Sequence, residues 1–367
     1  MPAGTRARRT RIAIACQGGG SQTAFTAGVL SELLRRDVHR EFEIVSLTGT
    51  SGGAICAALV WFALRRGEVE PWRRLEAFWA DNTAQTPLER AFNDNLVDTL
   101  RRVSRGHLPV FQTSPSMPMM QLVTQALTAG LRPGFVDLNL LLETHIDFAE
   151  VARWGASPAL PNLLLGAVNI QSGQLRVFSS RNEAITAAHV RASCAVPNIF
   201  EAVEVDGEPY WDGLFSDNPP IAEVIRPGFV GAENFPDEIW VIKINPTRCE
   251  EVPTSPEAVA DRRNELIGNV SLFQQLSSLA WLNDILSRDG FRPEFLAGLG
   301  VTKPLRMPPG APDEPPRPWH IPMIQMSAEL QATLDYESKL DRNPGNIRAL
   351  MEDGALQAVE FLAAREP

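Results

Sequence analysis

Short apolar runs and helical stripes alternate through the first 66 residues. Ile12 to Cys16 is an apolar run of strand length. From Ser21 to Arg36 two stripes follow at helical spacing, Ala27, Leu30, Leu34 and Phe25, Val29, Leu33, together wide enough to cover a sheet. Phe42 to Leu47 predicts a second strand, and Gly53 to Arg66 an almost wholly apolar helix, hence a buried one. This order predicts an α/β fold, a mostly parallel central sheet covered by helices.

The rhythm breaks between residues 67 and 160, which read as irregular helix with Trp72, Phe78, Trp79 and Phe92 on the surface and Pro109, Pro115 and Pro118 as breakers. That segment is a candidate lid or groove wall. Strand patterns return at Leu163 to Ile170, Leu175 to Phe178, Phe200 to Val205 and Ile239 to Ile244, for about six strands and a sheet that closes near residue 245. Glu265 to Leu286 then predicts a helix with Leu266, Val270, Phe273 and Leu276 on its inner face. Eight of the 29 prolines fall between Pro304 and Pro322, so 303–322 reads as an extended loop. Asn343-Pro344 opens a last helix facing inward through Ile347, Leu350, Met351, Ala355, Ala358 and Leu362. The expected organisation is a basic tail over 1–10, a catalytic domain over 11–250 and an α-helical region over 251–367.

Composition narrows the function classes. With 44% hydrophobic and 21% charged residues, the 367-residue chain is an ordinary folded protein. Its net charge of −10 disfavours nucleic acid as a partner. The charge is uneven, however: residues 1 to 110 hold 15 Arg against 11 acidic residues, so a peripheral contact of this half with a membrane is one reading and a solvated surface the other. No apolar run reaches the roughly 18 residues of a spanning helix. The arginines before Ile12 precede too short a run for a signal peptide, so a cytoplasmic location is expected. Cys16, Cys56, Cys194 and Cys249 lie far apart, which reads as buried thiols rather than a metal site or disulfide framework.

Three short motifs carry candidate chemistry. Gly49-Thr50-Ser51-Gly52-Gly53, between a strand and an apolar helix, fits a nucleophile elbow: Gly49 and Gly53 permit the tight turn, and Ser51 stands at a helix N-terminus that favours its ionisation. An N-capping serine in a glycine-rich turn is the competing reading. Gly18-Gly19-Gly20 also follows a strand, and its backbone N–H groups can converge on an oxyanion. The spacing fits neither a dinucleotide nor a triphosphate loop. Asp212-Gly213 places a carboxylate at a tight turn, where partial desolvation would make it a general base.

These blocks, with Gly28-Val29-Leu30, Ala192-Ser193-Cys194-Ala195-Val196-Pro197 and Asn218-Pro219-Pro220, resemble the patatin-like phospholipase family in composition and order over about residues 11 to 245. The resemblance implies a three-layer α/β/α catalytic domain. It also implies a Ser51–Asp212 dyad that hydrolyses acyl esters of lipids without histidine, metal or other cofactor. Two positions depart from the family pattern: Gln22 and Thr23 stand where a basic residue and a glycine are usual, and Leu214 follows Asp212-Gly213.

A triad in the Ser, Asp, His order of an α/β-hydrolase would need His320, the one histidine after Asp212, and His39, His107, His145 and His189 are misplaced for it. Three functions stay open: a phospholipase A or lysophospholipase-like esterase, a catalytically weak lipid-binding or partner-regulated protein on the same fold, and a thioesterase or peptidase using the same dyad. The expected ligand is a lipid or other acyl ester. Oligomeric state has no signature in the sequence.

Overall fold

The computed structural model describes residues 9–109, 113–197, 199–249, 251–288, 290–298 and 321–365. Most of the expected basic tail, the proline-rich loop up to residue 320, and His320 lie outside the described residues.

Among the described residues eight strands form one sheet: β1 (Arg11–Cys16), β2 (Glu43–Gly49), β3 (Asn162–Asn169), β4 (Leu175–Ser179), β5 (Val203–Val205), β6 (Glu208–Asp212), β7 (Glu238–Lys243) and β8 (Met323–Gln325). Their order is β5-β6-β3-β2-β1-β7-β8, with β4 also paired to β3. The pairings of β1 with β2 and β7, of β2 with β3 and of β7 with β8 are parallel. Those of β3 with β4 and β6, and of β5 with β6, are antiparallel. The sheet therefore does not close at residue 245, because β8 extends it beyond β7 in parallel register. Neither β8 nor β6 stands out in the sequence: β8 has three residues, and β6 contains Pro209, which lacks the N–H a ladder uses.

Side chains alternate across the sheet and feed two cores. Along β1, Ile12, Ile14 and Cys16 join one core, and Ala13 and Ala15 the other. The larger core takes helices α1 (Ala24–Arg35), α2 (Val38–Glu41) and α3 (Gly52–Arg66). Six more helices follow: α4 (Arg73–Asn82), α5 (Pro87–Ser104), α6 (Pro118–Thr128), α7 (Pro133–Val136), α8 (Leu138–His145) and α9 (Phe148–Trp154). Phe78 and Trp79 of α4 are buried in the larger core, contrary to the surface position their irregular surroundings suggest.

The remaining α-helices among the described residues are α10 (Ala187–Ser193), α11 (Pro227–Val230), α12 (Pro256–Ser287), α13 (Pro293–Gly298), α14 (Ala328–Gln331) and α15 (Pro344–Ala363). α12 covers the second core with Leu272 and Leu279, so the layers are helix, sheet, helix. Its orientation differs from the expected one. Leu266, Val270 and Phe273 are exposed, while Asn269, Gln275 and Asn283 are buried beside the two leucines. Loops lie under this face, and their peptide groups need polar partners: Gln275 accepts from the amides of Ile221 and Ala222 and donates to the Pro219 carbonyl.

α15 lies against α1 at very close range. A Cβ on Gly28 would collide with the backbone of Met351, and one on Gly354 with that of Phe25, so each helix has a notch where the other's main chain fits. Ile347, Leu350 and Ala358 face inward as their spacing predicts. Of the cysteines, Cys16, Cys56 and Cys194 are buried, and Cys249 is exposed.

Candidate active site

β2 and α3 are joined by Thr50 and Ser51, and the turn is tight enough to put Ser51 at φ 56° and ψ −133°, a conformation that L residues rarely adopt. Close packing accounts for the neighbouring glycines. A Cβ on Gly49 would stand 2.5 Å from the Gly53 carbonyl oxygen, and one on Gly53 would collide with the Cys16 carbonyl. The Thr50 hydroxyl donates to the Asp217 carbonyl at 2.6 Å. Ser51 is only 8% exposed.

Asp212 is the last residue of β6 and lies opposite Ala167 of β3. The turn after it brings Gly213 so near β3 that a Cβ would stand 2.5 Å from the Gly166 carbonyl. Leu214 contributes its main chain: its N–H donates to Asp212 Oδ1 at 2.8 Å. The carboxyl is fully buried, and burial pushes its pKa from 3.8 up to about 7, against the opposing pull of the Ser51 hydroxyl and the Leu214 amide. Oδ2 has no hydrogen-bond partner among the described residues. The Ser51 hydroxyl thus acts on the carboxyl from a looser contact than a formed hydrogen bond, as is common before substrate tightens a site. The Cys194 thiol beside it stays protonated, held well above its ordinary range by burial and then by the Asp212 charge.

One short segment spaces these two groups. The Ser51 amide donates to Ser193, to both its carbonyl at 3.0 Å and its hydroxyl at 3.1 Å, and the Asp212 amide donates to the Ala195 carbonyl at 3.0 Å. The sequence marks this block by composition but gives no hint of that duty, which depends on α10 ending between two strands.

The glycine loop lies against the same elbow, since a Cβ on Gly18 would stand 2.7 Å from Ser51 Cβ. Its three amides are not equivalent. The Gly18 N–H donates to Asn218 Oδ1 at 2.6 Å, which removes it as a free oxyanion donor and makes it a support for the loop. The amides of Gly19 and Gly20 have no acceptor among the described residues. Gly20 has φ +57°, where glycine is favoured, and its α-carbon faces the Lys339 main chain. Gln17 braces the loop from behind, accepting from the amides of Ile244 and Asn245 and donating to Gly268 and Asn269. Gln22 turns to the C-terminal part of the chain and donates to Ser338 Oγ at 2.8 Å and to the Asp335 carbonyl.

The described histidines have other partners or positions. His145 lies 3.0 Å from Asp81, and His107 is exposed. His189 Nδ1 accepts from the Thr186 amide, which leaves the ring proton on Nε2, 3.3 Å from the Glu183 carboxylate. Glu183, His189 and Asp206 stand close enough together to suggest a metal site, but that tautomer offers the cluster no imidazole lone pair.

A family model described as patatin-like phospholipase matches residues 14–225, more than half of the chain. The sequence has no match among curated proteins. Among solved structures the chain is similar to VipD from Legionella pneumophila, at 14% identity and a TM-score of 0.41, over 98% of this chain and 67% of that one. It is also similar to a chain of the heterodimeric ExoU–SpcU complex from the type III secretion system of Pseudomonas aeruginosa, at 15% identity and a TM-score of 0.28, over 80% and 59%. Both likenesses are too distant to bear on the chemistry.

Proposed function

This chain belongs to the patatin-like phospholipase family, and from that premise we propose that it is a serine lipid acyl hydrolase with Ser51 as nucleophile and Asp212 as general base. The observation that carries the reading is the Asp212 carboxyl: fully buried, acting on the Ser51 hydroxyl, and brought to a pKa of about 7. A base is most useful when its pKa lies near the working pH. A carboxylate of ordinary pKa would be too weak to take a serine proton.

In the proposed sequence, Asp212 accepts the Ser51 proton as Oγ attacks the ester carbonyl. The amides of Gly19 and Gly20 stabilise the oxyanion of the tetrahedral intermediate, where loss of one donor costs about 2.7 to 4 kcal/mol. The intermediate collapses, the alcohol leaves with the proton held on Asp212, and an acyl-Ser51 ester remains. Water, activated by the same carboxylate, then releases the fatty acid and restores Ser51. Each buried CH₂ of the acyl chain adds about 0.8 kcal/mol of binding, so chain-length preference is broad.

A fluorophosphonate probe tests the assignment directly. It labels the wild type and leaves Ser51→Ala unlabelled; a folded wild type that resists labelling would instead be a lipid binder on this fold. Comparison of ester, thioester and amide substrates separates lipid esterase from thioesterase and peptidase. Uniform failure of the ester would sink the proposal.

A further inference from the structure

Beside the glycine loop lies a cavity of about 100 Å³, room for several waters or a small polar group. Gln22, Asn245, Asp261, Glu265, Tyr336 and Lys339 contribute to its wall. The cavity is tied to the catalytic machinery twice over: Lys339 packs its main chain on Gly20, and Tyr336 lies within range of the Asp212 charge. Tyr336 is 45% exposed, so the space opens outward at that side chain.

The charges in this wall are unequally satisfied. Glu265 pairs with Arg262 at 2.8 Å, and Asp335 with Arg101 at 2.6 Å. Lys339 and Asp261 have no oppositely charged partner within ion-pair distance among the described residues. The Lys339 ammonium donates to the neutral Asn245 amide oxygen at 2.7 Å and lies over the Tyr336 ring at 5.1 Å. Asp261 accepts through Oδ1 from the Tyr336 amide at 3.2 Å. Both groups are held in their less favourable environments. Burial lowers the Lys339 pKa to about 8; burial and then neighbouring carboxylates raise that of Asp261. A bound anion would relieve the first and a bound cation the second.

We propose that this cavity is a headgroup subsite for a zwitterionic phosphate–ammonium group of the phosphoethanolamine type, with Lys339 receiving the phosphate and Asp261 the ammonium. The inference rests on the lipid hydrolase reading, and the headgroup is that of the lipid being cleaved. A primary ammonium is favoured over a quaternary one because Lys339 already occupies the Tyr336 face that would cradle methyl groups, whereas Asp261 Oδ2 can accept an N–H. A purely anionic headgroup would leave the Asp261 carboxylate, which has no ion-pair partner among the described residues, facing a second negative charge.

Calorimetric titration of the full chain tests the pocket without requiring hydrolysis. Glycerophosphoethanolamine binds about tenfold more tightly than glycerol 3-phosphate or ethanolamine, of which one presents only an anion and the other only a cation. Asp261→Asn brings its affinity down to that of glycerol 3-phosphate, and Lys339→Met down to that of ethanolamine. Equal binding of all three probes to the wild type, or none, overturns the subsite whether or not either variant folds. In hydrolysis, kcat/KM for lysophosphatidylethanolamine exceeds that for lysophosphatidylglycerol of the same chain by about tenfold, chiefly through KM. Equal values would overturn the link to the cleaved lipid. A wild type that resists the fluorophosphonate would defeat the hydrolase reading while leaving the binding titration decisive for the pocket.

Discussion

Replacing Asp212 with Asn should abolish turnover and stabilise the protein in one movement, and the two effects share a cause. The carboxyl has an ordinary pKa near 3.8 in the unfolded chain and about 7 in the fold, where burial opposes its charge. At about 1.36 kcal/mol per unit, the difference is roughly 4 kcal/mol. The sign follows from proton counting. Below pH 3.8 both states keep the proton, and the site costs nothing. Between pH 3.8 and about 7 the unfolded chain releases it while the fold retains it, so wild-type stability falls as pH rises. Above about 7 the full penalty applies. The Asn variant keeps an oxygen for the Leu214 amide and carries no charge. Its advantage should be near zero at pH 4 and approach roughly 4 kcal/mol at pH 8 as an upper limit. With unfolding entropy of about 2.1 cal/mol/K per residue, that is on the order of 5 °C in Tm for this chain. Melting curves of both proteins at pH 4 and pH 8 give the comparison. A gain that is the same at both pH values, or absent at both, would refute an ionised buried base. The companion kinetic result is a wild-type kcat/KM that rises about tenfold per pH unit up to about pH 7 and then levels.

Three other outcomes follow from the packing. Ser51→Ala and Ser51→Gly both abolish activity, but the glycine variant melts higher, by about 1 kcal/mol of stability, because it accepts φ 56° without strain; equal melting points would argue against strain at the elbow. Asn218→Ala leaves the buried Gly18 N–H without its acceptor and destabilises by about 1 to 3 kcal/mol, with kcat falling more than KM changes as the loop loosens; a change confined to KM would contradict that role. Gly28→Val drives a side chain into the Met351 main chain and costs about 1 to 3 kcal/mol or more by denaturant unfolding, and an unaltered midpoint would mean that α1 and α15 can separate freely.

The parts of the fold that sequence makes legible are those where one physical demand dominates. β1, β2, β3 and β7 are apolar because they lie inside the sheet, and α3 is apolar because it is buried along most of its length. α12 misleads for the opposite reason. Its inner face must satisfy peptide groups of loops as well as fill space, so Asn269 and Gln275 point inward and the apolar stripe of Leu266, Val270 and Phe273 points out. Phe78 and Trp79 are likewise unreadable, since their burial depends on how α4 docks rather than on its own period. Glycine spacing signals the elbow and the loop because those turns admit few residues. The division of labour within the site is invisible at that level. That Gly18 gives its amide to Asn218, or that Ser193 and Ala195 span Ser51 and Asp212, arises from segments far apart in the chain.

The seating of Lys339 on Gly20, and of α15 in the notch of α1, bears on how the protein is made. Gly20 and the Lys339 main chain against it stand 319 residues apart in the sequence, so the loop is synthesised long before that neighbour. While a ribosome still holds the stretch beyond residue 330, the loop lacks that neighbour, so a nascent chain has yet to complete the wall beside its glycines.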